Sequence, residues 1–493
     1  MDIATLAGGR AVIDESELES LRAMLGGRLF RPGDPGYEEA RVVFNGMFDR
    51  RRPGLIVRCR GAADVIEAVR FARRRELLTA VRGGGHSVAG ASTCDDGLVI
   101  DLSEMNSVVV DRGRRIARVA GGATWGDVDR ETQAFGLATP GGIVSHTGVA
   151  GLTLSGGMGW LRNKYGLSCD NVVAVDLVTA DGDLLTARAG ENPDLFWALR
   201  GGGGSFGVVT SFDFVLHPVG PQVAAVFSMY PLADARDVMR RWRDWLESAP
   251  DAATTEIAAW TAPAADSLPP TVHDRDVVIA AGVYAGDPDE GLRVLAPLRS
   301  FAQPIGEIAG LLPFNAVQRA FDPFFPNTGA VIAHWKSQYL DALTDAAIDV
   351  VADRAEHRSA PSTMVFVMHL GGAVQRAPAD QSPLARRARF VANFMGNWSD
   401  PRETPEHVAW VRDAWDRLAP HSTGAVYLNF LGQEPDADGL VRATFGPSYD
   451  RLVGIKKKYD PTNFFQLNPN VRPLNRSSSA AVSSSPGSRP AGR

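Results

Sequence analysis

Apolar residues along this chain follow three textures. From residue 53 to 218 they come in short β-branched runs separated by glycine clusters. From 219 to 422 the runs lengthen and alternate with amphipathic stretches, and from 423 to 473 the short motif-like pattern returns. In the first region LLTAV, LVIDL, SVVVD and RIARVAGG read as short strands bounded by turns. GAADVIEAVRFARRREL predicts a helix in which Val65, Ile66 and Val69 share a face, with Arg73, Arg74 and Arg75 at its negative end. Thr124 and Asp127 predict a capping box for the helix that Gly136 ends. DNVVAVDLVTADGDLLTA predicts a hairpin on a DG turn, and NPDLFWAL a short helix opened by Asn192 and Pro193.

In the second region ADARDVMRRWRDWLES predicts an amphipathic helix with Val238, Met239, Trp242 and Trp245 toward a core. DVVIAAGVYAG and STMVFVMHLGG read as strands, DEGLRVLAPLRSF and TDAAIDVVADRAEH as helices, which predicts an α+β layer with one covered face. Residues 474–493, LNRSSSAAVSSSPGSRPAGR, have almost nothing to bury and predict a disordered tail.

Composition narrows the classes. The 493 residues suggest roughly two to three domains at about 150 residues each. A net charge of −6 leaves no electrostatic footprint for nucleic acid. Cys59, Cys94 and Cys169 form no CxxC and the histidines no HExxH, so neither a disulfide framework nor a metal site is expected. The N-terminus has no secretory pattern and no apolar run approaches the roughly 18 residues of a membrane span, so the expectation is a cytoplasmic protein without membrane contact.

Glycines carry the candidate chemistry. RGGGHSVAG, PGGIVSHTGVAGLTLSGGMG and RGGGGSFG lie within one stretch of the first region. Successive N–H groups in glycine turns make concavities that admit a phosphate because no Cβ blocks the approach. Gly202, Gly204 and Gly207 formally satisfy GxGxxG, but a helix precedes them and a strand follows. A Rossmann site needs the reverse order, so that reading is rejected.

The motifs RGGGHS, TGVAGLTLSGGMGWLRNKYGL, DLFWALRGGGGSFGVVTSF, YLNF and YDPTNFFQLNPNV, in this order, resemble the berberine-bridge-enzyme-like FAD-linked oxidases of the vanillyl-alcohol-oxidase type. The resemblance implies an α+β fold: a PCMH-type FAD-binding domain of two subdomains, and a substrate domain with an antiparallel sheet covered by helices. The implied division is an N-terminal segment 1–50, an FAD-binding domain 51–218, a substrate domain 219–422 and a return to the FAD-binding domain over 423–473. FAD is the implied cofactor, covalently attached through His86. Arg82, Gly83, Gly84, Gly85 and Ser87 become pyrophosphate-loop residues, while Thr147, Gly148, Gly151, Gly156 and Gly157 follow the rest of the cofactor. Asn468 is placed at the flavin's pyrimidine edge.

Three departures qualify the resemblance. Val144 stands where bicovalent members carry a cysteine, which implies attachment through His86 only. Met158 replaces a frequent active-site tyrosine. Thr147 occupies the position associated with oxygen gating, which leaves the electron acceptor open.

By the same resemblance Tyr427 is the expected base and Asn429 a positioning residue. His369 is assigned a structural role on the substrate sheet, and His146 and Lys336 read as loop and surface residues. The implied reaction takes hydride from a C–H beside an OH or amine of a sugar, alkaloid or secondary metabolite, with molecular oxygen as acceptor. A flavin dehydrogenase with another acceptor and a non-catalytic flavin-binding protein are the alternatives.

Overall fold

The structure, a computed structural model, describes residues 1–473; the tail expected over 474–493 lies outside the described residues. The fold is α+β. Its largest layer follows from strands such as QVAAVFSMYP and ATTEIAAWTA, which are buried along nearly their whole length and therefore need cover on both faces. Seven antiparallel strands pair in the order Gly306–Pro313, Gln222–Pro231, Arg275–Tyr284, Ala253–Ala262, Met364–His369, Phe390–Trp398, Ile332–Leu340.

Side chains alternate between the two faces of this sheet. Val226, Ile257, Val278, Val365 and Phe394 pack under the helices Ala235–Leu246, Asp345–Glu356 and Thr404–Leu418. Phe227, Ala258, Ile279, Phe366 and Met395 point the other way, into a core shared with the glycine-rich half of the chain. The helices cover one face, as the pattern predicts. In the helix Ala235–Leu246, Val238, Met239 and Trp242 are buried while Trp245 is only partly so. The Trp242 indole N–H donates to Thr255 Oγ1 at 2.9 Å, which satisfies its one polar atom.

Besides two two-stranded ribbons, the glycine-rich half holds two larger sheets. Arg28–Phe30, Leu55–Arg58, Leu98–Asp101 and Thr79–Arg82 form a four-stranded sheet whose last three strands run parallel. Helix Ala62–Arg74 packs in the same core through Val65 and Val69, with Ile66 at its margin. Leu184–Arg188, Val172–Val178, Val208–Val215, Ile116–Ala120 and Val108–Asp111 form an antiparallel sheet of five. The helix Trp125–Gln133 opens on the reciprocal Thr124–Asp127 capping box.

The C-terminal segment closes on the glycine-rich half. Leu452 and Val453 of helix Tyr449–Tyr459 join the core of the five-stranded sheet. Lys456, fully buried, donates to Asp460 Oδ2 at 2.6 Å, Ser205 O at 2.7 Å and Phe465 O at 3.0 Å. This tie holds residues 465–469 against the glycine loop that contains Ser205. No helix among the described residues is long and apolar enough to cross a membrane.

Candidate active site

Two glycine loops meet backbone to backbone. A Cβ on Gly84 would stand 2.5 Å from Gly148 Cα, and one on Gly148 would stand 2.8 Å from Gly84 Cα. Only glycine permits this approach. Gly85 adds a left-handed φ of +72°, which turns the chain so that His86 follows directly. Gly83, Gly84, Gly85, His86 and Ser87 line one cavity. Thr147, Gly148 and Gly151 continue its wall, and Tyr427, Asn429 and Asn468 reach it from the C-terminal segment.

Arg82, Gly156 and Gly157 do not line it. Arg82 is turned into the four-stranded sheet, where it pairs with fully buried Asp101 at 3.0 Å and donates to Ala40 O. Burial alone would raise the Asp101 carboxyl, but Arg82 and Arg58 outweigh it and hold it below its ordinary value. Gly156 and Gly157, at φ +112° and +90°, shape the turn that carries Met158. A Cβ on Gly157 would collide with the Ser168 side chain.

His86 is deep in the cavity. Its ring stacks on Phe44 with centroids 4.4 Å apart, and its Nε2 lies 2.7 Å from His146 Nδ1. Burial, aided by His146, pulls its pKa down to about 3, so the imidazole is neutral at neutral pH. Among the described residues Nδ1 has no hydrogen-bond partner. The loop that holds His146 is anchored by Asp322, which accepts from Ser145 N at 2.7 Å and from Ser145 Oγ at 2.5 Å.

Tyr427 Oη accepts from Met158 N at 3.2 Å and from Asn429 Nδ2 at 2.9 Å. Burial pushes the phenol up to about 12, although these donors act the other way. Asn429 also donates to Leu152 O at 3.0 Å, which fixes its amide between the second glycine run and the phenol. Asn468 Nδ2 donates to Gly204 O at 3.0 Å, which seats its amide against the third glycine cluster.

The structure adds a partner to His146, moves Lys336 from surface to interior and leaves His369 in the structural place expected of it. His146, read as a loop residue, is hydrogen-bonded to His86 across 60 residues of sequence, and no local pattern marks that pairing. Lys336, read as a surface residue, is buried at 6% exposure. It pairs with Glu434 at 3.1 Å and lies over the Trp415 ring. His369 is buried away from the cavity, with Nδ1 3.3 Å from Asn163 Nδ2 and its carbonyl accepting from Arg162 Nε. Phe44 and Asn45 also escaped the sequence reading. Asn45 bonds Val88 O and both backbone polar groups of Ala333, joining the His86 loop to the seven-stranded sheet.

Known proteins share this fold. The FAD binding domain family matches residues 53–188, and the family described as berberine and berberine like matches residues 426–472. An uncharacterized FAD-linked oxidoreductase of Bacillus subtilis is 32% identical, over 92% of this chain and 99% of its own length. The chain belongs to the berberine-bridge-like FAD-linked oxidoreductases. Within this family, (R)-6-hydroxynicotine oxidase of Paenarthrobacter nicotinovorans is 30% identical, over 91% of this chain and 97% of its own. The structure of BBE-like 1 from Physcomitrella patens superposes with a TM-score of 0.82 at 25% identity, covering 93% of this chain and 99% of that one.

The residues of this FAD-linked oxidoreductase fit its cofactor. Gly151 lines the cavity, and a Cβ placed there meets no protein atom within 4 Å, so the space beside it is free for a ligand. No Lys or Arg lines the cavity. A pyrophosphate there would be held by backbone N–H groups of the glycine loops, the arrangement that bare successive peptides provide.

Proposed function

We propose that this oxidoreductase is an oxidase that removes hydride from a carbon bearing a hydroxyl or amine on a small molecule. FAD is held covalently by His86 alone and oxygen is the electron acceptor. The observation that carries this reading is that His86 and Tyr427 open onto one cavity whose wall is built from the touching Gly84 and Gly148 loops. FAD supplies the hydride acceptor when bound, and the protein supplies orientation and electrostatics. Val144, also on the cavity wall, carries no thiol for a second attachment.

His86 offers the attaching nitrogen. A neutral imidazole keeps a lone pair, and the tautomer in which Nε2–H donates to His146 Nδ1, 2.7 Å away, is the one that puts it on Nδ1. Gly83, Gly84 and Gly85 bind the pyrophosphate, with Ser87, Thr147, Gly148 and Gly151 along the remainder and Asn468 at the pyrimidine edge.

Tyr427 meets the substrate. With two N–H donors on Oη, its phenolate form is the better hydrogen-bonded one, which suits a base that takes the hydroxyl or amine proton. Asn429 holds that oxygen in place.

Acid precipitation of the purified yellow protein tests the attachment: flavin fluorescence stays with the pellet, and flavin released to the supernatant refutes the His86 bond. Anaerobic reduction by substrate followed by air tests the acceptor. Rapid reoxidation with stoichiometric peroxide is expected; a reduced flavin that persists in air points to a dehydrogenase.

A further inference from the structure

The substrate end of the cavity faces the seven-stranded sheet, and its chemistry is uniform. Phe366 and Met368 project from the strand Met364–His369, Met395 from Phe390–Trp398 and Trp335 from Ile332–Leu340. Phe325 and Phe430 complete an aromatic box around Trp335, with ring centroids 5.9 and 5.6 Å from its own. The Trp335 indole N–H is spent on Asn397 Oδ1 at 2.9 Å, so this box offers a ligand no donor from that ring. Tyr427 and Asn429 supply the polar groups at its edge.

Charge is absent from the lining: no Asp, Glu, Lys or Arg lines the cavity. The nearby ionisable groups are committed elsewhere. Glu256 lies on the cavity side of the sheet, paired across strands with Met368, but does not reach the lining and faces Arg162 at 3.4 Å. Lys336 faces Glu434 on the opposite side of its strand from Trp335. An ammonium or carboxylate entering this box would lose its hydration and meet no counter-charge on the lining, which opposes its binding. An oligosaccharide would leave many hydroxyls unpaired.

We propose that the substrate of this site is an uncharged aromatic alcohol, held by its ring in the Trp335–Phe366 box with its hydroxyl on Tyr427. The proposal rests on the oxidase reading above and narrows it. Aromatic rings bury large area and stack edge to face with such walls, whereas a neutral hydroxyl needs only the one polar edge.

A matched set on one skeleton tests it. Holoenzyme is titrated with 1-naphthylmethanol, 1-naphthylmethylamine, 1-naphthoate and xylobiose, and binding is read from the shift of the flavin visible spectrum. The alcohol is expected to bind at least about tenfold tighter than either charged analogue, with no saturable shift from the disaccharide. Equal or tighter binding of the amine, the carboxylate or the disaccharide, or no saturable shift from the alcohol, overturns the proposal.

Met368→Glu adds a carboxylate to the box and is expected to reverse the preference between alcohol and amine. If that variant fails to fold, Phe366→Ala takes its place and is expected to weaken the alcohol about tenfold. An unaltered preference in Met368→Glu, or an unaltered alcohol affinity in Phe366→Ala, counts against the box. The outcomes separate the two readings. A purified protein without flavin defeats the oxidase reading, whereas a flavoprotein bleached by xylobiose or the amine but not by the alcohol leaves it standing and defeats only the substrate class.

Discussion

His86 Nε2 and His146 Nδ1 lie 2.7 Å apart, and among the described residues His86 Nδ1 has no hydrogen-bond partner. On the proposed attachment through His86, His146 is its positioning residue. His86→Ala is expected to abolish flavin fluorescence on a denaturing gel. His146→Ala is expected to lower the covalent fraction severalfold while leaving extractable FAD in the native protein. Undiminished covalent flavin in His146→Ala would remove it from this role.

The Tyr427 phenol, pushed up to about 12 by burial, is protonated at neutral pH. If it is the base, flavin reduction should accelerate with rising pH, because the deprotonated form becomes populated only toward that value. Tyr427→Phe is expected to slow reduction by about 10²–10⁴-fold and to flatten the pH dependence. Stopped-flow bleaching across the alkaline range measures both.

Gly84 and Gly151 are glycines for different reasons. A Cβ on Gly84 strikes Gly148, so Gly84→Ala should destabilise the protein itself. A Cβ on Gly151 strikes no protein atom and lies within helix Val149–Leu154. Gly151→Ala should therefore raise apoprotein stability by about 0.5–1 kcal/mol. It should also weaken flavin binding by about 1–3 kcal/mol through overpacking. Thermal denaturation and FAD titration, both in a His86→Ala background, separate the two effects.

Arg162 and Glu256 are both fully buried, and Arg162 also donates to Gly159 O, Thr255 O and His369 O. Burial, only partly offset by Arg162, pushes the Glu256 carboxyl up to about 7. The folded state thus binds that proton more tightly than the unfolded state. The stability it contributes is full below the ordinary carboxylate value and is lost as pH rises through about 7. Glu256→Gln mimics the protonated form. It should match the parent at about pH 5 and gain on it at about pH 8. Arg162→Met strands the three carbonyls and should cost about 3–5 kcal/mol at either pH, read from urea midpoints.

Much of the architecture was legible in the chain. The strands read in DVVIAAGVYAG and STMVFVMHLGG, the Thr124–Asp127 box and the DG hairpin are local statements, in which each residue's conformation is set by near neighbours. The glycine runs likewise announced close backbone approach, and their order with YLNF resembled one family.

The sequence could not say what each glycine approaches. That Gly84 meets Gly148, that His86 bonds His146 and that Met158 N reaches Tyr427 Oη across 269 residues depend on how separate layers stack. Lys336 shows the limit most plainly. Its charge predicts solvent, but a partner distant in sequence, Glu434, and the Trp415 face make burial tolerable. Local pattern determined the elements and the family. Tertiary packing alone decided which nitrogen of His86 is free, which charges are neutralised, and that the cavity lining carries none.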